Sequence, residues 1–327
     1  MPALRSLPLL PLLMLALLTG TKGVVAAEGL AASVKAADAK YLGVPDVAAV
    51  SNAPKIEAGG WEDEASKPEP QEISQGTVKA ALTYRETVVG GEVMFVPIVT
   101  ISADGKEVTK IDDENTGLPN PPVSLQIAEI DPANTQPEVV VSFYTGGAHC
   151  CSSTSVATSS SEGASWSMVD VGEFDGGPLL AVDLDGDGRY EFETRDNAFL
   201  YTFGCYACSE APLQIFAVEA GAIKNVSKDP RFRPAHAAWL KSMIGNAPDE
   251  DANGFLAGYV GEKILLGEGK EAWALMLAHY DKESDWGLEA CGQAVNDEGE
   301  CLGTPEILTF PEALERMLNE SGYRVEK

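Results

Sequence analysis

The stretch Leu180–Arg195, LAVDLDGDGRYEFETR, sets the architecture of this chain, because an apolar strand runs into an Asp-led loop and leaves as a second strand. Its flanks, Leu179-Leu180-Ala181-Val182 and Tyr190-Glu191-Phe192-Glu193, carry the two-residue period and β-favouring side chains of a hairpin. Asp183, Asp185 and Asp187 fall at alternate positions. Gly188 follows where the chain must turn sharply, Arg189 is placed to offer its backbone carbonyl, and Glu191 closes the loop. Oxygen ligands at this spacing suit calcium, the expected cofactor, and crowding four carboxylates without a cation is costly.

A related pattern lies 52 residues earlier. Ile127–Val141, IAEIDPANTQPEVVV, is again strand, Asp-led loop, Glu and strand, but Ala133 and Thr135 stand where carboxylates would be and the loop is one residue shorter. Two copies are too few to close a propeller, so a repeated hairpin in a sandwich or partly open sheet is expected. An antiparallel β-rich domain is assigned to residues 76–228, with Val93-Phe95 and Val139-Val141-Phe143 in strands and Gly90-Gly91, Asp104-Gly105 and Gly146-Gly147 in turns.

After Pro230 the period lengthens to about 3.6. Apolar residues group as Trp239, Leu240 and Met243, then Phe255, Leu256, Tyr259 and Val260, then Trp273, Leu275, Met276 and Leu277. A last helix is expected from Thr309, with Pro311 in its first turn and Glu312 placed to complete a capping box. Residues 229–327 therefore read as a helical C-terminal region, and the chain as α+β rather than alternating α/β.

The N-terminus reads as an export signal. Arg5 precedes an apolar run from Leu7 to Leu18, and Val25-Ala26-Ala27 forms a small-residue cleavage site before Glu28, so 1–27 is expected to be removed. The run holds Pro8 and Pro11 and falls short of the ~20 residues that span a bilayer, so no stable membrane anchor is expected. Residues 28–75, rich in Ala, Pro, Glu and Ser and containing Trp61-Glu62-Asp63-Glu64, read as a disordered acidic linker. The expected location is periplasmic or secreted.

The 327-residue chain carries 23 basic and 50 acidic residues, a net charge of −27. Such a field disfavours nucleic acid and anionic lipid, and favours calcium and cationic proteins, so a cationic exported protein is the partner class expected.

Six cysteines in an exported chain read most simply as three disulfides, for which fifteen pairings exist. Cys291 and Cys301 are close enough to shut a local loop. Cys150-Cys151 and Cys205-x-x-Cys208 follow comparable strands, either cross-linking the two hairpins or closing within each motif as 150–151 and 205–208. His149 beside these thiols raises zinc and thiol-oxidoreductase readings, which the redox context disfavours. His149, His236 and His279 are the only histidines, and none has a recognisable catalytic setting; His236 and His279 lie on helices, where a structural role is the common one. Paired carboxylates for glycosidase chemistry can be neither assigned nor denied among 50 acids. An enzyme is the less favoured class.

The spacing of Asp183, Asp185, Asp187 and Glu191 resembles the Asp-rich loops of FG-GAP and VCBS repeats, over about a dozen residues; the resemblance implies a metal used for stiffening. With its signal, TGGAHCC and NAFLYTF stretches, the chain also resembles exported bacterial proteins of unassigned function. These readings point to a binding or structural module. The alternatives are an inhibitor of a cationic cell-wall hydrolase, since some i-type lysozyme inhibitors are similar exported β-rich domains, and an enzyme acting through Cys205 and Cys208 or as a hydrolase.

Overall fold

The computed structural model describes residues 29–47, 52–60, 67–112, 118–147, 150–250, 252–292, 296 and 301–325. The expected signal segment 1–27, Trp61 with its acidic neighbours, His149 and most of the turn between Cys291 and Cys301 lie outside the described residues.

Helix α1 (Leu30–Ala37) and strand β1 (Lys55–Ala58) open the fold. Strands β2 (Gln71–Gln75), β3 (Val78–Val89), β4 (Glu92–Ala103) and β5 (Lys106–Asp112) follow as a meander. Next come β6 (Val123–Ala128), β7 (Glu138–Tyr144), β8 (Cys150–Ser159) and β9 (Trp166–Asp175). These four form with β1 an antiparallel sheet in the order β1-β6-β7-β8-β9. A small third sheet joins β10 (Phe192–Arg195), β11 (Leu213–Glu219) and β12 (Ala222–Asn225). Helices α2 (Arg233–Gly245), α3 (Ala252–Leu265), α4 (Gly269–His279) and α5 (Phe310–Glu320) complete the chain, with a two-residue pair, β13 (Glu289–Ala290) and β14 (Glu306–Ile307), before α5.

The fold is α+β, with antiparallel sheets followed by helices, as expected. The β1-β6-β7-β8-β9 sheet is its middle layer. Val139, Val141 and Phe143 point to one face, where they meet Leu82, Val99 and Ile101 of the meander. Val140 and Val156 point to the other, against Phe192 and Val218 of the third sheet. Because both faces are covered, β6 and β7 are buried at every position. This is why β7 reads Val-Val-Val instead of alternating with polar residues. Strands β3 and β4 run for 12 residues each.

The third sheet couples sheet to helices. Leu213 and Ile215 of β11 face away from the middle layer and pack with Phe232 and with Ala235 of α2. Three glycines on α3 permit a close approach of this layer. A Cβ at Gly254 would meet the carbonyl oxygen of Cys208 at 2.5 Å, one at Gly258 that of Glu210 at 2.1 Å, and one at Gly261 the ring of Pro212 at 2.5 Å. The helical region 229–327 thus shares its packing with the sheets. Helix α5 begins as its sequence suggests, with Glu312 accepting from the Thr309 amide at 2.9 Å in a capping box. Most apolar positions read for α2–α4 are buried, but Leu277 remains 46% exposed because it lies on the outer face of α4.

The expected linker 28–75 departs from its reading. Composition made it look disordered, yet Leu30, Val34 and Tyr41 are buried in the helical core, and β1 and β2 extend two sheets. The physical reason is tertiary: Asp38, 1% exposed, meets Lys263 and Tyr259 of α3, partners more than 200 residues away that local composition does not reveal.

Candidate metal centre

The segment entering the Asp loop is docked on the middle sheet by buried polar side chains. Gln126 on β6 donates to the Ala181 carbonyl and accepts from the Ala181 amide, both at 2.8 Å, so its amide imitates a neighbouring strand. Ser142 accepts from the Leu179 amide at 2.9 Å. Val182 and Glu191 then pair through two 2.8 Å backbone bonds that close the loop's neck.

Within the loop, Asp183 accepts from the amides of Gly186 at 2.7 Å and Gly188 at 3.0 Å. Asp185 accepts from Asp187, and Asp187 from Arg189. Gly186 and Gly188 adopt φ of 79° and 86°, which a side chain would strain. Ligand oxygens of Asp183, Asp185 and Asp187 come within 4.8 Å of one another. Glu191 lies behind them, 3% exposed, accepting from the Leu184 amide at 3.3 Å. Burial pushes its carboxyl up to about 7; the Leu184 amide and Arg231 pull against this, while Asp185 and Asp187 add to it. Arg189 contributes backbone, with its amide turned into the loop.

One functional neighbour was invisible in the motif. Arg231, just before α2, brings its guanidinium to 3.6 Å from Asp185 and 3.9 Å from Asp187. Leu184, the apolar residue inside the loop, points the other way and packs on Phe232 and Ala235. The loop therefore joins the third sheet to the start of the helical layer.

The earlier hairpin surrounds its closing Glu with backbone and side-chain donors. Glu138, fully buried, accepts from the amides of Ile130 and Asp131 at 2.8 and 3.0 Å, and from Asn134 at 2.8 Å and Thr158 at 3.2 Å. Asp131 turns outward and accepts from Ala220 and Gly221 at the β11–β12 turn. Where the first loop has an Asn amide and a hydroxyl around its closing Glu, the second has carboxylates.

Sulfur atoms come within bonding distance inside each motif: Cys150 with Cys151, Cys205 with Cys208, and Cys291 with Cys301. These contacts fall within motifs and not between the two hairpins. The motifs are still neighbours. Asp175 pairs across the sheet from Cys150, and its carboxylate accepts from the hydroxyl of Tyr206, which lies between Cys205 and Cys208.

His236 is a satisfied core residue. Its Nδ1 is 2.8 Å from Glu262 and its Nε2 2.7 Å from the Ser227 carbonyl. His279 sits in the last turn of α4, far in sequence from the Asp loop and in a separate element. No helix among the described residues is long and apolar enough to cross a membrane.

The sll0997 C-terminal domain family matches residues 235–322, which contain most of α2 and all of α3–α5 but not the Asp loop. A protein of Synechocystis, named "Probable thylakoid lumen protein sll0997", is 41% identical over 256 residues, covering 77% of this chain and 75% of the relative. The uncharacterized protein y4bJ of Sinorhizobium fredii is 30% identical over 300 residues, covering 86% of this chain but only 46% of its own length. No solved structure matches the chain. With two-fifths identity across three-quarters of the Synechocystis protein, this chain belongs to the sll0997 family.

Proposed function

We propose that this chain is an exported binding or structural module in which calcium at Asp183, Asp185, Asp187 and Glu191, with the Arg189 carbonyl, fastens the third sheet to the helical layer. The observation that carries the reading is the convergence of three Asp carboxylates on one point with a buried Glu behind them. The contrast with Glu138 supports it, because the first loop gives its Glu the side-chain donors Asn134 and Thr158, whereas the second sets Asp carboxylates in front of Glu191. Export is supported by the leader-like 1–27 and by the name of the Synechocystis relative. Six cysteines paired within motifs suit an oxidising compartment, and three disulfides are part of the reading. The loop's likeness to FG-GAP and VCBS loops stays one of local metal chemistry, since a single functional copy builds no propeller. The net charge of −27 favours a cationic exported partner.

The deciding experiment is thermal unfolding in chelator, in millimolar calcium and in magnesium. Calcium at a hundredfold excess over Kd is expected to stabilise the fold by about 2.7 kcal/mol, and Asp185→Ala to remove most of that gain. An equal gain in parent and variant would remove the loop from the reading. Arg231→Gln is expected to tighten calcium binding several-fold, because a cation beside Asp185 and Asp187 opposes another cation there. Titration calorimetry checks this; unchanged or weaker binding would mean that the guanidinium organises the loop instead of competing with the metal.

A further inference from the structure

We propose that Cys205-Tyr206-Ala207-Cys208 is a thiol–disulfide exchange site for a thiol carried by a neutral or cationic exported polypeptide. The proposal rests on the oxidised resting state proposed above for this pair, and goes beyond it by giving the pair a reaction.

Three observations carry it. Cys205 and Cys208 are half-buried and line one cavity of about 300 Å³ whose walls include Phe203 and Trp286, an aromatic surface suited to an apolar peptide segment. The wall is fixed. Trp286 donates from its indole to the Tyr201 carbonyl at 2.9 Å, and buried Asn253 exchanges hydrogen bonds with the backbone of Asp281 at 2.9 and 3.0 Å. The backbone amide of Cys208 donates to Cys205 Sγ at 3.1 Å, a contact that strengthens when that sulfur becomes a thiolate. The floor is rigid too, since the close approach of Gly254 leaves no room between α3 and the Cys208 carbonyl.

These contacts set the direction of exchange. The incoming thiolate attacks Cys208 Sγ; the bond to Cys205 breaks, and Cys205 leaves as the thiolate that the Cys208 amide holds. A second thiol of the same ligand, deprotonated, then attacks its own mixed-disulfide sulfur and releases Cys208. The ligand dithiol loses two electrons and two protons and becomes a disulfide, and Cys205 and Cys208 gain them as thiols. Charge selects the ligand. The acidic chain, with Asp281 on the cavity wall, repels an anionic thiol and attracts a cationic one.

The test uses the full exported chain. Free thiols are first blocked, then graded cysteamine or glutathione is added without denaturant, new thiols are alkylated, and each cysteine is assigned by peptide mass spectrometry. The expected result is opening of Cys205–Cys208 before Cys291–Cys301, several-fold faster with cysteamine than with glutathione at low salt, the difference shrinking at high salt. In Cys208→Ser, the Cys205 thiol is expected to alkylate at pH 7 roughly tenfold faster than the Cys208 thiol of Cys205→Ser. A purely structural bridge would move neither readout. Resistance of Cys205–Cys208 to both thiols while Cys291–Cys301 opens, or equal alkylation of the two variants, overturns the exchange site. Labelling of Cys205 and Cys208 in the first blocking step overturns the oxidised resting state instead, and with it the proposal.

Discussion

Replacing either His236 or Glu262 by Leu is expected to cost about 3–5 kcal/mol of folding stability, and replacing both much less than the sum. The pair lies at the joint between sheet and helices. His236, 1% exposed on α2, bonds Glu262, wholly buried on α3, while the other oxygen of Glu262 accepts from the Leu213 amide of β11 at 2.9 Å. Ser227, whose carbonyl takes the remaining imidazole nitrogen, receives the Ile215 amide on its hydroxyl at 2.8 Å. Five residues from β11, the turn after β12, α2 and α3 thus close one network. Removing one member leaves its partner buried and unsatisfied, whereas removing both lets apolar side chains fill the space. Denaturant unfolding of the two single variants and the double variant measures the coupling. Single effects below about 1 kcal/mol that simply add would show that the network is decorative.

The same pair predicts a pH dependence. Burial alone would lower His236, but Glu262 and the Ser227 carbonyl outweigh it and raise the imidazole above its ordinary value, with Arg233 opposing; burial raises Glu262 as well. Both directions mean that the folded pair keeps its shared proton where the unfolded chain has lost it. The stabilisation is therefore fully present below about pH 6.5, the unfolded value, and is lost as pH rises through the folded one. The stability gap between parent and double variant is expected to narrow on the alkaline side and not on the acid side of that window.

Much of this was written in local sequence and some of it was not. The convergence of the Asp loop was legible because its three Asp carboxylates lie two residues apart in one turn, and α5 because a capping box spans four residues. Arg231 was not legible as a neighbour of Asp185, since 46 residues and the whole third sheet separate them in the chain. Nor were Gly254, Gly258 and Gly261, whose value lies in the CxxC turn and the following segment 209–212 that they admit. Which sulfurs approach one another turned on whether two comparable strands place them face to face, which spacing could not decide; the motifs are adjacent through Asp175 and Tyr206, but the sulfur contacts fall within each motif. Residues 29–47 were misread for the opposite reason. Local composition described a tract of small and polar residues accurately, yet the few side chains that matter, Leu30, Val34, Asp38 and Tyr41, recur every three or four residues on one face.

That face supplies the other large effect. Asp38→Ala is expected to destabilise the chain by about 3 kcal/mol, because it leaves a buried ammonium with Glu268 alone and the Tyr259 hydroxyl without its acceptor. Lys263 is 2% exposed and lies 2.5 Å from both Asp38 and Glu268. Tyr259 donates to the other oxygen of Asp38 at 2.6 Å, Tyr41 to Glu268 at 2.8 Å, and Lys40 pairs with Glu268 at the surface. Two cations meet two anions, and two phenols fill remaining acceptor positions. Burial alone would raise the Glu268 carboxyl, but Lys263, Lys40 and Tyr41 together bring it down to about 2. A depressed carboxyl contributes stability above its unfolded value near pH 4.3 that is lost as pH falls through about 2, here up to about 3 kcal/mol. Acid unfolding of the parent should therefore steepen below pH 4, and Glu268→Gln should flatten that limb while lowering stability at neutral pH. Lys263→Met separates charge from packing: with Asp38→Ala added it should recover part of the loss caused by Asp38→Ala alone, since no ammonium is then left buried. If Asp38→Ala and deletion of 29–47 both left stability and the acid limb unchanged, the N-terminal segment would be the linker its composition suggests, and the helical core would have to close without it.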